Sequence, residues 1–211
     1  MSTEGVPGFL FFLSNQIAWN YFATNFTSAS GCLYANLNLF TKVYFPRLIV
    51  PVASIASNSA AVVIQLGFFF VAWWSYRAGG SGAAHLVLTP LVLWTPLILL
   101  LVAAQGLGFG LWMAALTAKY RDLQHLVPVI TQLWMYGSCV VFPLSQVPPQ
   151  YQRILALNPV TFVTEVFRRC LLGVGTVTWT LGLYSVAVTL IVLVGGIYIY
   201  HGAARSFVDV A

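Results

Sequence analysis

Charged residues are scarce in this sequence. Only 6% of its 211 residues are Asp, Glu, Lys or Arg, whereas 60% are hydrophobic. About a quarter of the residues in a soluble globular domain are charged, so the composition excludes that class and indicates an integral membrane protein. The strict alternation of apolar and polar residues that is typical of a membrane β-barrel is also missing, and we therefore predict an all-α fold.

Carboxylates are fewer than basic residues, four against nine, and none lies in a predicted span. The four are Glu4, Asp122, Glu165 and Asp209. Transporters driven by protons or sodium commonly use an intramembrane carboxylate, so a self-sufficient transporter of that kind is disfavoured. The sequence also lacks the GxxxxGK[ST] phosphate-binding loop. If ATP drives this protein, a partner ATPase must bind the ATP and the magnesium.

Signals for other kinds of site are missing as well. No run of Lys or Arg marks a nucleic-acid partner, although the formal net charge is +5. The three cysteines are scattered without a CxxC motif, and the three histidines stand singly near predicted span ends. We therefore expect buried free thiols and interfacial histidines, with no metal site, no catalytic residue and no cofactor held by this chain.

Long apolar stretches dominate what is present. A spanning helix needs about 20 mostly apolar residues, and the pattern predicts one transmembrane domain over residues 1–211 with about five spans, at 8–29, 49–74, 86–116, 126–142 and 181–200.

The stretch 143–173 is neither a span nor a soluble loop. Pro143 ends the fourth span, and Asn158 followed by Pro159 offers a cap and a first-turn proline for a second short helix. We predict two short re-entrant or interfacial helices that return to their starting side. Glu165 precedes Arg168 by three residues and Arg169 by four, the favourable order for an ion pair within a helix.

The first span carries unusually many polar residues. Gln16, Asn20, Thr24 and Thr27 recur at steps of four, four and three, which places them on one helical face that cannot point at lipid. Hydrogen bonding to other helices and lining of a hydrated path both remain open. Most aromatic residues are expected in packing or interfacial belts, and some could line a path for sugars. The channel-lining candidates are Gln16, Trp19, Asn20, Thr24, Gln132, Trp134 and Tyr136.

The third span contains three glycines in alternation, Gly106, Gly108 and Gly110. They resemble a phosphate-binding loop in letters only, because no strand precedes them and their neighbours are apolar. Close packing of helices through small residues is the preferred interpretation.

Two short charged hinges separate the spans, at residues 39–47 and 119–125. If the basic residues of the stretch 143–173 are set aside, five basic residues lie on the side of the hinges and one on the other. The positive-inside rule then places both hinges and the C-terminus in the cytoplasm and the N-terminus of this chain outside.

Four motifs in order resemble the membrane subunit of type-2 ABC exporters for cell-surface polysaccharides. They are Lys42-Val-Tyr-Phe-Pro-Arg47, Tyr120-Arg-Asp-Leu-Gln-His-Leu-Val-Pro128, Pro143-Leu-Ser-Gln-Val-Pro148, and Leu157-Asn-Pro-Val160 with Phe167-Arg168. The resemblance implies a bacterial inner-membrane permease that forms a channel as a homodimer. It further implies a separate ATPase and a lipid-linked substrate such as O-antigen, capsule or a teichoic-acid-like polymer. Family members resemble six-span proteins that open with an amphipathic helix and a further span, so the stretch 8–29 corresponds to their second span and this chain is expected to be a shortened member.

The hinges are the expected contact with the ATPase. Pro46 fixes its own φ and stiffens the exit of the first hinge into the span, while its aromatic and basic side chains offer apolar surface and charge to a partner. An alternative is that the basic residues only anchor span ends at lipid headgroups. The coupling candidates are Lys42, Val43, Tyr44, Phe45, Pro46, Arg47, Lys119, Arg121 and Asp122.

Two other functions remain alternatives. One is a type-2 ABC exporter of a drug or a lipid. The other is a membrane-embedded enzyme that acts on lipid-linked sugars, for which Glu165 and Asp122 would be the candidate acids or bases.

Overall fold

A computed structural model of the chain describes residues 5–36, 46–79, 90–175 and 177–210, and all regular structure among them is helical. The helices are α1 (Gly8–Ser30), α2 (Cys32–Ala35), α3 (Ile49–Ala78), α4 (Thr95–Lys119), α5 (Leu123–Tyr136), α6 (Pro149–Ala156), α7 (Pro159–Leu172) and α8 (Trp179–Val210), with short 3-10 helices at Pro90–Trp94 and Leu144–Gln146. The predicted all-α class is confirmed.

Three helical stretches are long and apolar enough to cross a membrane in the described part of the chain. They are Ile49–Ala78, Pro90–Lys119 and Trp179–Ala204. Helix α1 has 23 residues and is therefore about 34 Å long at 1.5 Å per residue, which matches a hydrocarbon core of about 30 Å.

The stretch 126–142 differs from the prediction. Helix α5 has 14 residues and ends at Tyr136, and residues 137–142 form turns instead of continuing the helix to Phe142. At about 21 Å, α5 is shorter than the membrane core. The side-chain amide of Asn158 donates to the carbonyl oxygen of Gly137 at 2.9 Å, which satisfies a group at the end of the helix that has no partner in the helix itself.

Helix α4 lies at the centre and packs against α1 on one side and α8 on the other. Glycines make both contacts close. A methyl group at Gly110 would lie 2.5 Å from Cβ of Ala29 on α1, and one at Gly108 would lie 3.0 Å from the backbone nitrogen of Leu193 on α8. The alternating glycines therefore face α1 and α8 in turn and let both helices approach α4 closely, as packing through small residues predicts.

An aromatic cluster fixes α5 against this centre. The ring of Trp134 on α5 meets those of Phe22, Phe26 and Phe109 edge to face, with centroids 5.1, 5.7 and 4.8 Å apart. Such pairs contribute about 0.5–1.5 kcal/mol each beyond the burial of their area.

Candidate functional site

The flanks of both hinges lie at one end of the helix bundle. The hydroxyl of Tyr34 on α2 donates to the carbonyl of Thr117 near the end of α4 at 3.1 Å. The guanidinium of Arg121 lies 5.8 Å from the centre of the Tyr34 ring. At the same end, the hydroxyl of Tyr200 on α8 lies 3.4 Å from the carbonyl oxygen of Arg47. A displacement of either hinge would therefore reach several helices at once.

A small second core lies beneath these hinge flanks. Cys32, Leu33, Leu111, Ala114, Tyr200 and Ala204 are buried together there, from α2, α4 and α8. The thiol of Cys32 lies 3.4 Å from the hydroxyl oxygen of Tyr200. Burial raises the pKa of the Cys32 thiol above its ordinary value, so the thiol stays neutral near pH 7.

Most of the described coupling candidates are accessible at this end. Pro46, Lys119, Arg121 and Asp122 are exposed, and Arg47 is half-buried. The other candidates, Lys42, Val43, Tyr44 and Phe45, lie outside the described residues.

The predicted polar face of α1 lies on the surface of the chain. Gln16 and Thr24 are exposed, and Asn20 and Thr27 are half-buried. The amide of Gln16 donates to Oδ1 of Asn20 at 2.8 Å, and Thr27 donates to the carbonyl oxygen of Ala23, also at 2.8 Å. These bonds stay within α1, so this face does not join α1 to another helix in the described part of the chain. We call Gln16, Asn20, Thr24 and Thr27 the polar strip.

The aromatic channel candidates lie in two different environments. Trp19 is 4% exposed and packs against Phe22, and the indole of Trp134 belongs to the aromatic cluster. Trp19 therefore offers almost no surface to a path along the polar strip, whereas Trp134 is half-buried. Gln132 and Tyr136 lie on the exposed face of α5, so they are accessible channel-lining candidates, as the residues of the polar strip are.

Other polar residues, which we did not single out as site residues, connect the helices. The amide of Asn58 on α3 donates to Oδ1 of Asn25 on α1 at 2.9 Å. The buried amide nitrogen of Gln105 on α4 lies within 3.3 Å of three acceptors, the carbonyl oxygen of Pro159 and the hydroxyls of Ser185 and Thr189. The sequence does contain a signal for such contacts, an Asn or Gln inside an apolar span, because an amide without a hydrogen-bond partner is costly there.

Asn158 holds the folded-back stretch 143–173 to α5. Its Oδ1 accepts from the backbone N–H of Val160 at 3.1 Å, which caps α7, and from the indole N–H of Trp134 at 3.2 Å. Its amide nitrogen donates to the carbonyl oxygen of Gly137 and to the hydroxyl of Ser138, both at 2.9 Å. The sequence predicted the cap but not the other three contacts, which need the fold. Pro159 begins α7, and Pro143 precedes the 3-10 helix.

Helix α7 is mostly buried in protein and does not lie on the surface of the bundle. It packs against α1, α4 and α8. Glu165 and Arg168 form an ion pair with side chains only 2% and 1% exposed, whereas Arg169 is exposed. The i,i+3 pair was predicted from spacing, but its burial was not. Among the described residues, no three His, Cys, Asp or Glu side chains are grouped as a metal ion would require.

Comparisons with known proteins place the chain among membrane transport proteins. The family described as "ABC-2 type transporter" matches residues 2–172. The O-antigen export system permease protein RfbA of Myxococcus xanthus is 30% identical over 159 residues, which cover 74% of this chain and 58% of that protein. The polysialic acid transport protein KpsM of Escherichia coli is 25% identical over 198 residues, 91% of this chain and 72% of that protein. An O-antigen export system permease protein RfbA of Klebsiella pneumoniae is 20% identical over 209 residues, 97% of this chain and 76% of that protein. The chain thus spans little more than half the length of the first of these relatives.

Proposed function

The chain belongs to the ABC-2 type transporter family, and we propose that it is the membrane subunit of an ATP-driven exporter of lipid-linked cell-surface polysaccharide. Two copies form the path, and a separate ATPase supplies the energy. The substrate class rests on the names of the relatives, which are permeases or transport proteins for O-antigen and polysialic acid.

The polar strip on α1 is the observation that carries the proposal. A row of amide and hydroxyl side chains facing hydrocarbon would be costly, and this strip makes no bond to another helix of the described chain. We infer that water or a second copy covers it. A path between two copies, with the strip on its wall, satisfies these side chains and presents hydrogen-bonding groups to sugar hydroxyls.

The arrangement of the hinges supports a motor outside this chain. Both hinge flanks lie at one end of the bundle, and the charge count favours the cytoplasm for that end. The ATPase would bind there with its ATP and magnesium, and the termini would lie on opposite sides of the bacterial inner membrane. Single cysteines at Thr41 and Gln124 should then resist an impermeant maleimide in intact cells. Labelling of both from outside would overturn this orientation.

The membrane-enzyme alternative has little support from the candidate acids and bases. The carboxylate of Glu165 is buried and paired with Arg168, and Asp122 is exposed at a hinge. A drug or lipid exporter would share the motor but not the substrate.

Deletion of the gene in its native host separates these functions. We expect lipid-linked polymer of normal length to accumulate inside the cell while surface polysaccharide is lost. Shortened polymer would indicate an enzyme, and unchanged surface polysaccharide would refute the proposal. In complemented cells, Gln16→Leu/Asn20→Leu should reduce export at unchanged permease abundance. The matched control Ser57→Leu, at an exposed position of α3, should export normally.

A further inference from the structure

The buried pair of Glu165 and Arg168 has an unusual arrangement, because both partners belong to one helix. They are three residues apart on α7, and neither side chain reaches solvent. A buried pair formed between two helices resists movement, because any displacement separates the charges in a poorly polarisable interior. The pair on α7 can change position without being separated, because it travels with its helix.

Neighbouring segments contact this pair and the residue before it on α7. The backbone N–H of Leu144 donates to Oε1 of Glu165 at 3.1 Å, and the guanidinium of Arg168 lies 4.6 Å from the ring centre of Phe11 on α1. The hydroxyl of Thr164 lies 3.1 Å from the carbonyl oxygen of Ser138. In water the same groups would exchange these contacts for hydrogen bonds of similar strength.

Arg168 is incompletely satisfied where it lies. Its Nε and Nη1 are buried and have no hydrogen-bond partner among the described residues. Buried donors without partners are costly, and each one in a folded protein calls for an explanation. Water would satisfy both donors if α7 moved to a hydrated position, and that gain offsets part of the packing that the movement loses.

The chain after α7 has the backbone that such a movement needs. Gly173 ends the helix at φ 75° and Gly175 follows at φ 140°, both in regions that L-residues rarely adopt. A methyl group at Gly175 would lie 3.0 Å from the carbonyl oxygen of Glu165 and 3.3 Å from its Oε2. Two glycines with φ values that suit a change of direction thus lie directly after α7, one of them close to the pair.

We propose that α7 has a second, hydrated position that is occupied during transport. Both positions are accessible because the charges of Glu165 and Arg168 neutralise each other within the helix. This inference rests on the proposed function. The buried position is the one described here. In the hydrated position the pair stays intact, Arg168 leaves Phe11, and the turn at Ser138 and Cys139 is uncovered.

The native Cys139 reports on this movement. Its side chain is 1% exposed, and it follows Ser138, whose carbonyl oxygen is a partner of Thr164 on α7. In the complete exporter with Cys32 and Cys170 replaced by Ala, the rate at which an impermeant maleimide labels Cys139 measures how often α7 leaves. Surface polysaccharide measures export in the same cells.

The decisive variant is the uncharged pair Glu165→Gln/Arg168→Met. Replacing a buried ion pair by uncharged groups of similar volume is often neutral or stabilising, so we expect unchanged or higher abundance and thermal stability. Labelling of Cys139 and export should both fall at least about tenfold, because the uncharged pair gains little from water; tenfold corresponds to 1.4 kcal/mol in an equilibrium. The control Arg153→Met, at an exposed position of α6, should behave as the unmodified protein.

Two further variants keep the inference testable if the uncharged pair fails to fold. Glu165→Gln alone leaves a buried cation without its counter-charge, so Cys139 labelling should rise at least about tenfold. The reversed pair Glu165→Arg/Arg168→Glu keeps self-neutralisation and should retain export. Normal export by the uncharged pair, or Cys139 labelling that none of these variants changes, would overturn the inference. Failure of the proposed function would instead show as an unmodified protein that exports no polysaccharide, whatever the labelling of Cys139.

Discussion

Substitution of alanine for glycine should have opposite effects on stability at two positions of this chain. Gly110 on α4 faces α1, where an added methyl group would lie 2.5 Å from Cβ of Ala29 and 2.9 Å from the carbonyl oxygen of Phe26. Gly67 on α3 has no atom within 4 Å of the same added group. The chemical change is identical, so any difference comes from the neighbours.

The magnitude follows from the distances. Carbon atoms prefer a separation of about 3.5–4.0 Å, so α1 and α4 must move apart by about 1 Å at Gly110. No flexible side chain can yield, because Ala29 is fully buried and ends at Cβ. Overpacking of this kind costs about 1–3 kcal/mol, against about 1 kcal/mol gained from replacing a helical glycine by alanine. We expect a net loss of up to about 2 kcal/mol for Gly110→Ala and a gain of up to about 1 kcal/mol for Gly67→Ala.

Thermal unfolding of the purified protein in detergent measures both variants. For a chain of this length 1 kcal/mol corresponds to about 2–4 °C, so Gly110→Ala should lower Tm by up to about 8 °C and Gly67→Ala should raise it by up to about 4 °C. Gly106→Ala, whose methyl group would lie 2.7 Å from Cβ of Asn25, should resemble Gly110→Ala. If Gly110→Ala is as stable as Gly67→Ala, the close approach of α1 and α4 is wrong.

Three further predictions concern single polar side chains. Asn158→Ala removes the cap of α7 and the contacts to α5, so it should lower stability by about 1–3 kcal/mol in the same assay. Asn158→Asp keeps the cap and should lose less stability. Equal stability of Asn158→Ala and the unmodified protein would contradict the contacts described. Because burial raises the pKa of the Cys32 thiol, its thiolate fraction is low at pH 7. Alkylation of Cys32 in the folded protein should therefore be slow at pH 7 and should accelerate only above the ordinary thiol pKa of about 8.5. Labelling of Cys32 at pH 7 as fast as in denaturant would be inconsistent with that burial. Gln105→Leu removes an amide nitrogen whose two hydrogens are shared among three acceptors, and it also removes Oε1, which has no partner among the described residues. Since hydrogen bonds average about 0.6 kcal/mol in a membrane, this variant should lower stability by less than about 2 kcal/mol. A larger loss would show that the cluster organises the three helices.

The linear sequence determined the class of this protein and much of its helical plan. Scarce charge and long apolar stretches suffice for an all-α membrane protein, because the membrane restricts spanning segments to structures that satisfy their own backbone. Local signals also located the cap at Asn158 and the pairing of Glu165 with Arg168, because both depend on residues only two or three positions apart. The four hinge and loop motifs were sufficient to identify the family.

Tertiary structure decided what distant residues share. The end of α5 at Tyr136 depends on Asn158, which lies 21 positions from Gly137 in the chain, and spacing alone cannot reveal such a contact. The same limit applies to the polar strip, since whether Gln16 and Asn20 face another helix depends on how α3, α4 and α5 surround α1. Burial of Arg168 against Phe11 likewise arises because α7 folds back into the bundle, and the free energy of a charge depends on its surroundings more than on its neighbours in sequence.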